Sequence, residues 1–177
     1  AGKIKEGSKI LLKTAEEIER ILKNEGLFKK IAGDIKGSEN VYIIGRGASF
    51  PSALEGALKI KEVSYIHAEG LSGGELKHGP IALIEKGTPC FVFAPNDETY
   101  DAIMSNASEI KARGGLILGV SFKNSPLFDH FIEIRDVKEG TMLAQIVPLQ
   151  LIAYFLSALK GYDPDKPRNL AKSVTVK

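Results

Sequence analysis

The sequence predicts a three-layer α/β domain, an α-β-α sandwich around a parallel sheet, with a helical arm ahead of it. Short, continuous apolar runs at residues 41–44, 90–94 and 116–120 have the length and evenness of strands buried on both faces. Helical periods lie between them, and the connections are brief. Strands alternating with helices imply βαβ units, right-handed crossovers and a sheet covered on both sides. At 177 residues the chain fits one domain with a sizeable core.

Taken in order, residues 8–24 repeat Ile10, Leu11, Ala15, Ile18, Ile21 and Leu22 at a helical period that Gly26 closes. Residues 27–35 read as a second, shorter helix ending near Gly37. The arm thus occupies residues 1–40, the α/β domain 41–161 and a tail 162–177. The first strand, 41–44, runs into the loop Gly45-Arg46-Gly47-Ala48-Ser49, with Ser49 near the next helix cap and Pro51 in its first turn. Such a loop offers N–H groups to an anion, and it equally serves a tight strand-to-helix turn.

The helix that follows places Glu55, Lys59 and Glu62 at i, i+4 and i+7, on one stripe beside Leu54, Ala57, Leu58 and Val63. A glycine-rich loop then leads to Glu75 and His78 in GGELKHGP. The strand at 90–94 is broken by Pro95-Asn96-Asp97. A helix over 98–113 turns Ile103, Met104, Ala107 and Ile110 inward and stops at Gly114-Gly115. A third strand covers 116–120, and a fourth, 131–134, is peripheral by its charged neighbours. Residues 142–159 form a long helix, apolar around most of its circumference, so burial is expected on more than one side, part of it from another subunit.

Composition narrows the function classes. Net charge is +2 with both signs interspersed, which offers no field for nucleic acid or an anionic membrane. The apolar runs read as too short for the roughly 20 residues of a spanning helix. Nothing near Ala1 resembles a signal peptide. Cys90 is the only cysteine, so no disulfide framework exists, in keeping with a reducing, cytoplasmic location. A start at Ala1 suggests an excised or processed piece.

Two carboxylates, a lysine and a histidine close in sequence suit proton transfer on a small polar substrate, although the same spacing also describes a solvated, ion-paired helix face. Glu75 and His78 sit at metal-ligand spacing with no convincing third ligand, so no metal is expected. His67 and His130 read as structural.

These stretches resemble a known family. The matching residues are GRG at 45–47, ALEGALKIKEVSYIHAE at 53–69, GELKHGPIALI at 74–84, APN at 94–96, RGG at 113–115, VPLQLIAY at 147–154 and DKPRNLAKSVTV at 165–176. Together they closely resemble the second, C-terminal sugar isomerase (SIS) subdomain of the glucosamine-6-phosphate synthases, the glutamine:fructose-6-phosphate amidotransferases. The resemblance implies a flavodoxin-like SIS fold, used in pairs, with neither metal nor organic cofactor. It implies conversion of fructose 6-phosphate and glutamine into glucosamine 6-phosphate and glutamate. By position, Glu62 would be the base moving a proton between C1 and C2, and Lys172 the Schiff-base lysine. His78 would match the ring-opening histidine that reaches the site from a neighbouring subunit. Glu55 and Lys59 match accessory residues, and Gly45, Arg46, Gly47 and Ser49 form the loop expected beside the substrate.

The chain also departs from the family. It has no glutaminase half with a nucleophilic N-terminal cysteine, and no first SIS half with the serine- and threonine-rich loops that hold the sugar phosphate. At the corresponding place it reads Pro95-Asn96-Asp97-Glu98-Thr99, two acids that would repel a phosphate dianion. The expectation is a homodimeric, sugar-phosphate-binding isomerase portion, either a fragment or one chain of a split enzyme whose partner carries the missing halves. Two rivals are a non-catalytic phosphosugar-binding module and a stand-alone isomerase whose site closes across a homodimer.

Overall fold

A computed structural model of the chain describes residues 2–169. The helices are α1 (Gly2–Leu22), α2 (Glu25–Ile35), α3 (Ser49–Ser64), α4 (Tyr100–Lys111) and α5 (Thr141–Leu159). The strands are β1 (Asn40–Gly45), β2 (His67–Ser72), β3 (Pro89–Ala94), β4 (Leu116–Ser121) and β5 (His130–Glu133). All pair in parallel, in the order β2-β1-β3-β4-β5.

Alternation along the strands builds the three layers. Val41, Ile43, Phe91, Phe93, Leu118 and Val120 point to one face, under α2, α3 and α5. Tyr42, Ile44, Cys90, Val92, Ala94 and Ile117 point to the other, under α4 and two short 3₁₀ turns, Leu76–His78 and Pro80–Leu83. The α-β-α sandwich expected from the sequence is therefore present, and its strand order reverses between β1 and β3.

β2 corrects the sequence reading, which left residues 67–72 in a glycine-rich loop. As an edge strand with one neighbour, β2 needs no continuous apolar run, and most of its residues are only half-buried. Gly70 sits there because α3 crosses closely: a Cβ would lie 2.7 Å from the Ala53 carbonyl oxygen.

α5 follows from composition and packing together. It buries Leu149, Ile152 and Leu156 completely, and it touches α1, α2 and α3, so its apolar circumference has partners on several sides. Together with the preceding turn, residues 138–159 form a helix long and apolar enough to cross a membrane by length and composition, which corrects the expectation that no such run exists. More than half of that stretch is buried within the domain, which accounts for the composition.

The arm is fastened by charge as well as packing. α2 buries Phe28, Ile31, Ala32 and Ile35 in the main core. In α1, Glu17 accepts hydrogen bonds from Arg20 at 2.6 and 2.8 Å and from the Arg135 N–H at 2.8 Å, while Arg20 reaches the Glu133 carbonyl oxygen at 2.8 Å.

Candidate functional site

Helical spacing places Glu55, Lys59 and Glu62 together at the edge of α3, as one cluster. Lys59 Nζ lies 2.8 Å from Glu62 Oε2 and 3.4 Å from Glu55 Oε1. The side chains of Lys59 and Glu62 are roughly seven-tenths buried. The hydrogen bond from Lys59 to Glu62, with the charge of both carboxylates, holds the ammonium pKa above its ordinary value. The adjacent face of α3 is built of small residues, and Leu149 of α5 seats directly on Gly56.

The end of that helix receives the C-terminal tail. Tyr65, in the left-handed conformation at φ 58°, closes α3 and accepts a hydrogen bond from the Arg168 N–H at 2.8 Å. The Arg168 guanidinium stacks 4.0 Å from the Tyr65 ring centre, and Tyr162 meets the same ring edge-on at 4.8 Å. The tail is thus pinned three residues beyond Glu62. Lys172 lies outside the described residues.

The loop at residues 45–49 makes its own turn. The Ser49 N–H donates to the Arg46 carbonyl at 2.9 Å, the Phe50 N–H donates to the Gly47 carbonyl at 3.2 Å, and Pro51 has no N–H to give. A Cβ on Gly45 would overlap the Ser49 carbonyl group, so this turn requires glycine. Beyond the carboxyl ends of β1 and β3, where such sheets hold ligands, lies a cavity of about 290 Å³. Ser49 lines it, along with Asp97, Asp136, Glu139 and a single cation, Lys138. With the Ser49 and Phe50 N–H groups engaged and three acids around the opening, it is ill suited to a phosphate.

His78 projects from the Leu76–His78 turn, exposed, and makes no side-chain hydrogen bond or ion pair among the described residues. The structure does not bring it into contact with the Glu62 cluster of the same chain. His67 Nδ1 lies 3.1 Å from Asn40 Oδ1, and His130 Nε2 lies 3.1 Å from Asp34. Among the described residues, no group of three or more His, Cys, Asp or Glu is placed to hold a metal.

Sequence reasoning missed a polar chain on α4. Arg46 Nε donates to Asn106 Oδ1 at 3.0 Å, Asn106 Nδ2 donates to Glu109 at 3.4 Å, and Glu109 pairs with Lys77 at 2.6 Å. The signal was available: Asn106 falls on the inward stripe with Ile103 and Ile110, an unusual place for an amide.

The model of the SIS domain matches residues 34–160. This chain belongs to the SIS-domain family. The SIS chain is 49% identical over 169 residues to glutamine–fructose-6-phosphate aminotransferase [isomerizing] of Thermococcus kodakarensis, a match covering 94% of this chain and 28% of that protein. Against the enzyme of the same name from Clostridium perfringens it is 45% identical over 180 residues, covering 98% and 30%. It therefore spans less than a third of these curated relatives, and matches their isomerase region as a C-terminal SIS domain. Among solved structures, the C-terminal domain of glucosamine-fructose-6-phosphate aminotransferase from Francisella tularensis superposes with TM-score 0.79 at 36% identity, over 89% of this chain and 46% of that one. The tagatose-6-phosphate ketose/aldose isomerase of Escherichia coli shares the fold, at TM-score 0.72 and 20% identity, over 86% and 44%.

Proposed function

We propose that this SIS domain is the C-terminal part of the isomerase unit of a glutamine:fructose-6-phosphate aminotransferase, acting on fructose 6-phosphate together with a first SIS half. The observation that carries the reading is the tail pinned by Arg168 to Tyr65, beside the carboxylate and ammonium cluster of α3. Lys172 is four positions beyond Arg168 in the sequence, a reach of at most about 14 Å, and Glu62 lies one helical turn before Tyr65.

In this reading the Lys172 amine adds to the C2 carbonyl of the open-chain sugar and water leaves as the imine forms. Ammonia, or water when no ammonia is supplied, then displaces the lysine from C2 and frees its amine before the proton moves. Glu62 takes the proton from C1 and returns it at C2, and Lys59 holds its carboxylate in one direction. His78 serves ring opening. Its exposure, away from the Glu62 cluster of its own chain, supports delivery to a neighbouring subunit and hence a homodimer. The acidic cavity beyond β1 and β3 supports a phosphate held by the first SIS half, on a preceding segment or a separate chain.

The test combines this chain with one carrying the first SIS half, supplies fructose 6-phosphate in deuterated water, and follows glucose 6-phosphate and deuterium at C1 and C2. Product with exchange is expected, and Glu62→Gln should slow both by about 10²- to 10⁴-fold. Absence of product with the partner present, or an unaltered rate in Glu62→Gln, overturns the assignment.

A further inference from the structure

The polar chain on α4 ends one residue from His78. The His78 side chain makes no hydrogen bond or ion pair among the described residues: it is exposed, on a three-residue 3₁₀ turn, and the His78 N–H is spent on the Glu75 carbonyl at 3.0 Å. The segment leading to it is held at three points instead. Gly73 wedges between Asn106 and Ile103, where a Cβ would lie 2.7 Å from Asn106 Oδ1 and 2.9 Å from Ile103 Cδ1, and its N–H donates to the Gly45 carbonyl at 2.9 Å. Leu76 is fully buried in the core under α4. Lys77 is tied to Glu109 at 2.6 Å.

An isolated surface ion pair would do little to fix a turn. This one is backed from below. Asn106 is 3% exposed and divides its amide between two partners, accepting from Arg46 and donating to Glu109, so the Glu109 carboxylate is aimed before Lys77 arrives. The hydrogen bond from Lys77, with that from Asn106, keeps the Glu109 pKa below the usual carboxylate value. Adjacent residues on so short a turn share its backbone, so what holds Lys77 sets the direction in which the His78 Cα–Cβ bond leaves the turn.

We propose that Glu109, aimed by Asn106, is a positioning residue that holds Lys77 and so presents His78 in one direction to a sugar-phosphate site on another subunit. This rests on the reading of His78 given above. It also links the loop at residues 45–49, through Arg46, to the turn that carries the histidine, although Arg46 and Lys77 are far apart in sequence.

The experiment has two arms. In this chain alone, NMR order parameters of the Lys77 and His78 amides are compared between the native protein, Glu109→Gln and the exchanged pair Lys77→Glu with Glu109→Lys. Values near about 0.85 should fall below about 0.6 in Glu109→Gln and recover in the exchanged pair, with the core amides unmoved. In the complete enzyme, Glu109→Gln should lower kcat about ten- to a hundredfold with KM within about twofold, and the exchanged pair should restore most of it. Unchanged order parameters in Glu109→Gln, or no recovery in the exchanged pair, overturn the positioning role. Turnover indifferent to His78→Asn overturns the reading of His78, and the catalytic half of this proposal with it, even where Glu109→Gln loosens the turn.

Discussion

Glu17 is 3% exposed and accepts three hydrogen bonds, two from Arg20 within α1 and one from the Arg135 N–H that joins α1 to the chain leaving β5. Burial pushes its pKa up, and the contacts with Arg20 and the Arg135 N–H more than offset this, leaving it below the ordinary value of 4.5. A folded-state pKa below the unfolded one means the stabilisation is complete above the unfolded value and is lost as pH falls through the folded one. Glu17→Gln should therefore cost about 1–3 kcal/mol at pH 7, read by urea unfolding, with a gap that narrows as pH falls below the unfolded value of 4.5 and through the lower folded one. Cys90, fully buried in β3, makes the opposite case: burial alone pushes its thiol up to about 12. At pH 8 it should resist thiol reagents in the folded protein and react fully in urea; rapid labelling without denaturant would contradict its place in the core. Both residues are plain in the sequence as types, but neither shows its environment there. Glu17 reads as one more surface acid until β5 is brought against α1 from over a hundred residues away.

Between elements, the closest packing is α3 on α5, where Leu149 fills the space that a side chain at position 56 would take. Leu149→Ala should cost about 2–5 kcal/mol, measured as a fall in urea midpoint with an unchanged slope, because neither helix can close the gap without moving the sheet beneath it. A loss under 1 kcal/mol would mean the helices slide freely. The same pair explains which elements were legible. β1, β3, β4 and α5 stood out because buried strands and a core helix need near-continuous apolar character, and α4 because its inward residues keep a helical period. β2 did not, because its half-buried edge tolerates Glu69 and Gly70. Periodicity records burial, so an element that is little buried leaves little pattern.

Across the whole molecule, apolar side chains are uncovered on α1 (Ile4, Leu11, Leu12) and on two helices that pack together, Leu54 and Leu58 of α3 with Leu143 and Tyr154 of α5. The α3–α5 surface lies beside the Glu62 stripe of α3. If the homodimer proposed above uses this surface, sedimentation should show concentration-dependent association, and Leu58→Glu should shift it to the monomer with folding intact. Association unaffected by that substitution would place the contact elsewhere. The sequence by itself determined the α/β class, the strand-helix alternation and the α3 cluster, because these depend on local spacing and on which faces are apolar. The tertiary structure alone decided that the tail returns to Tyr65, that the Ser49 and Phe50 N–H groups are taken up by the turn at the start of α3, and that α4 grips the His78 segment. Each of these depends on hydrogen bonds and ion pairs between residues far apart in the chain, and such contacts impose no period on the residues that make them.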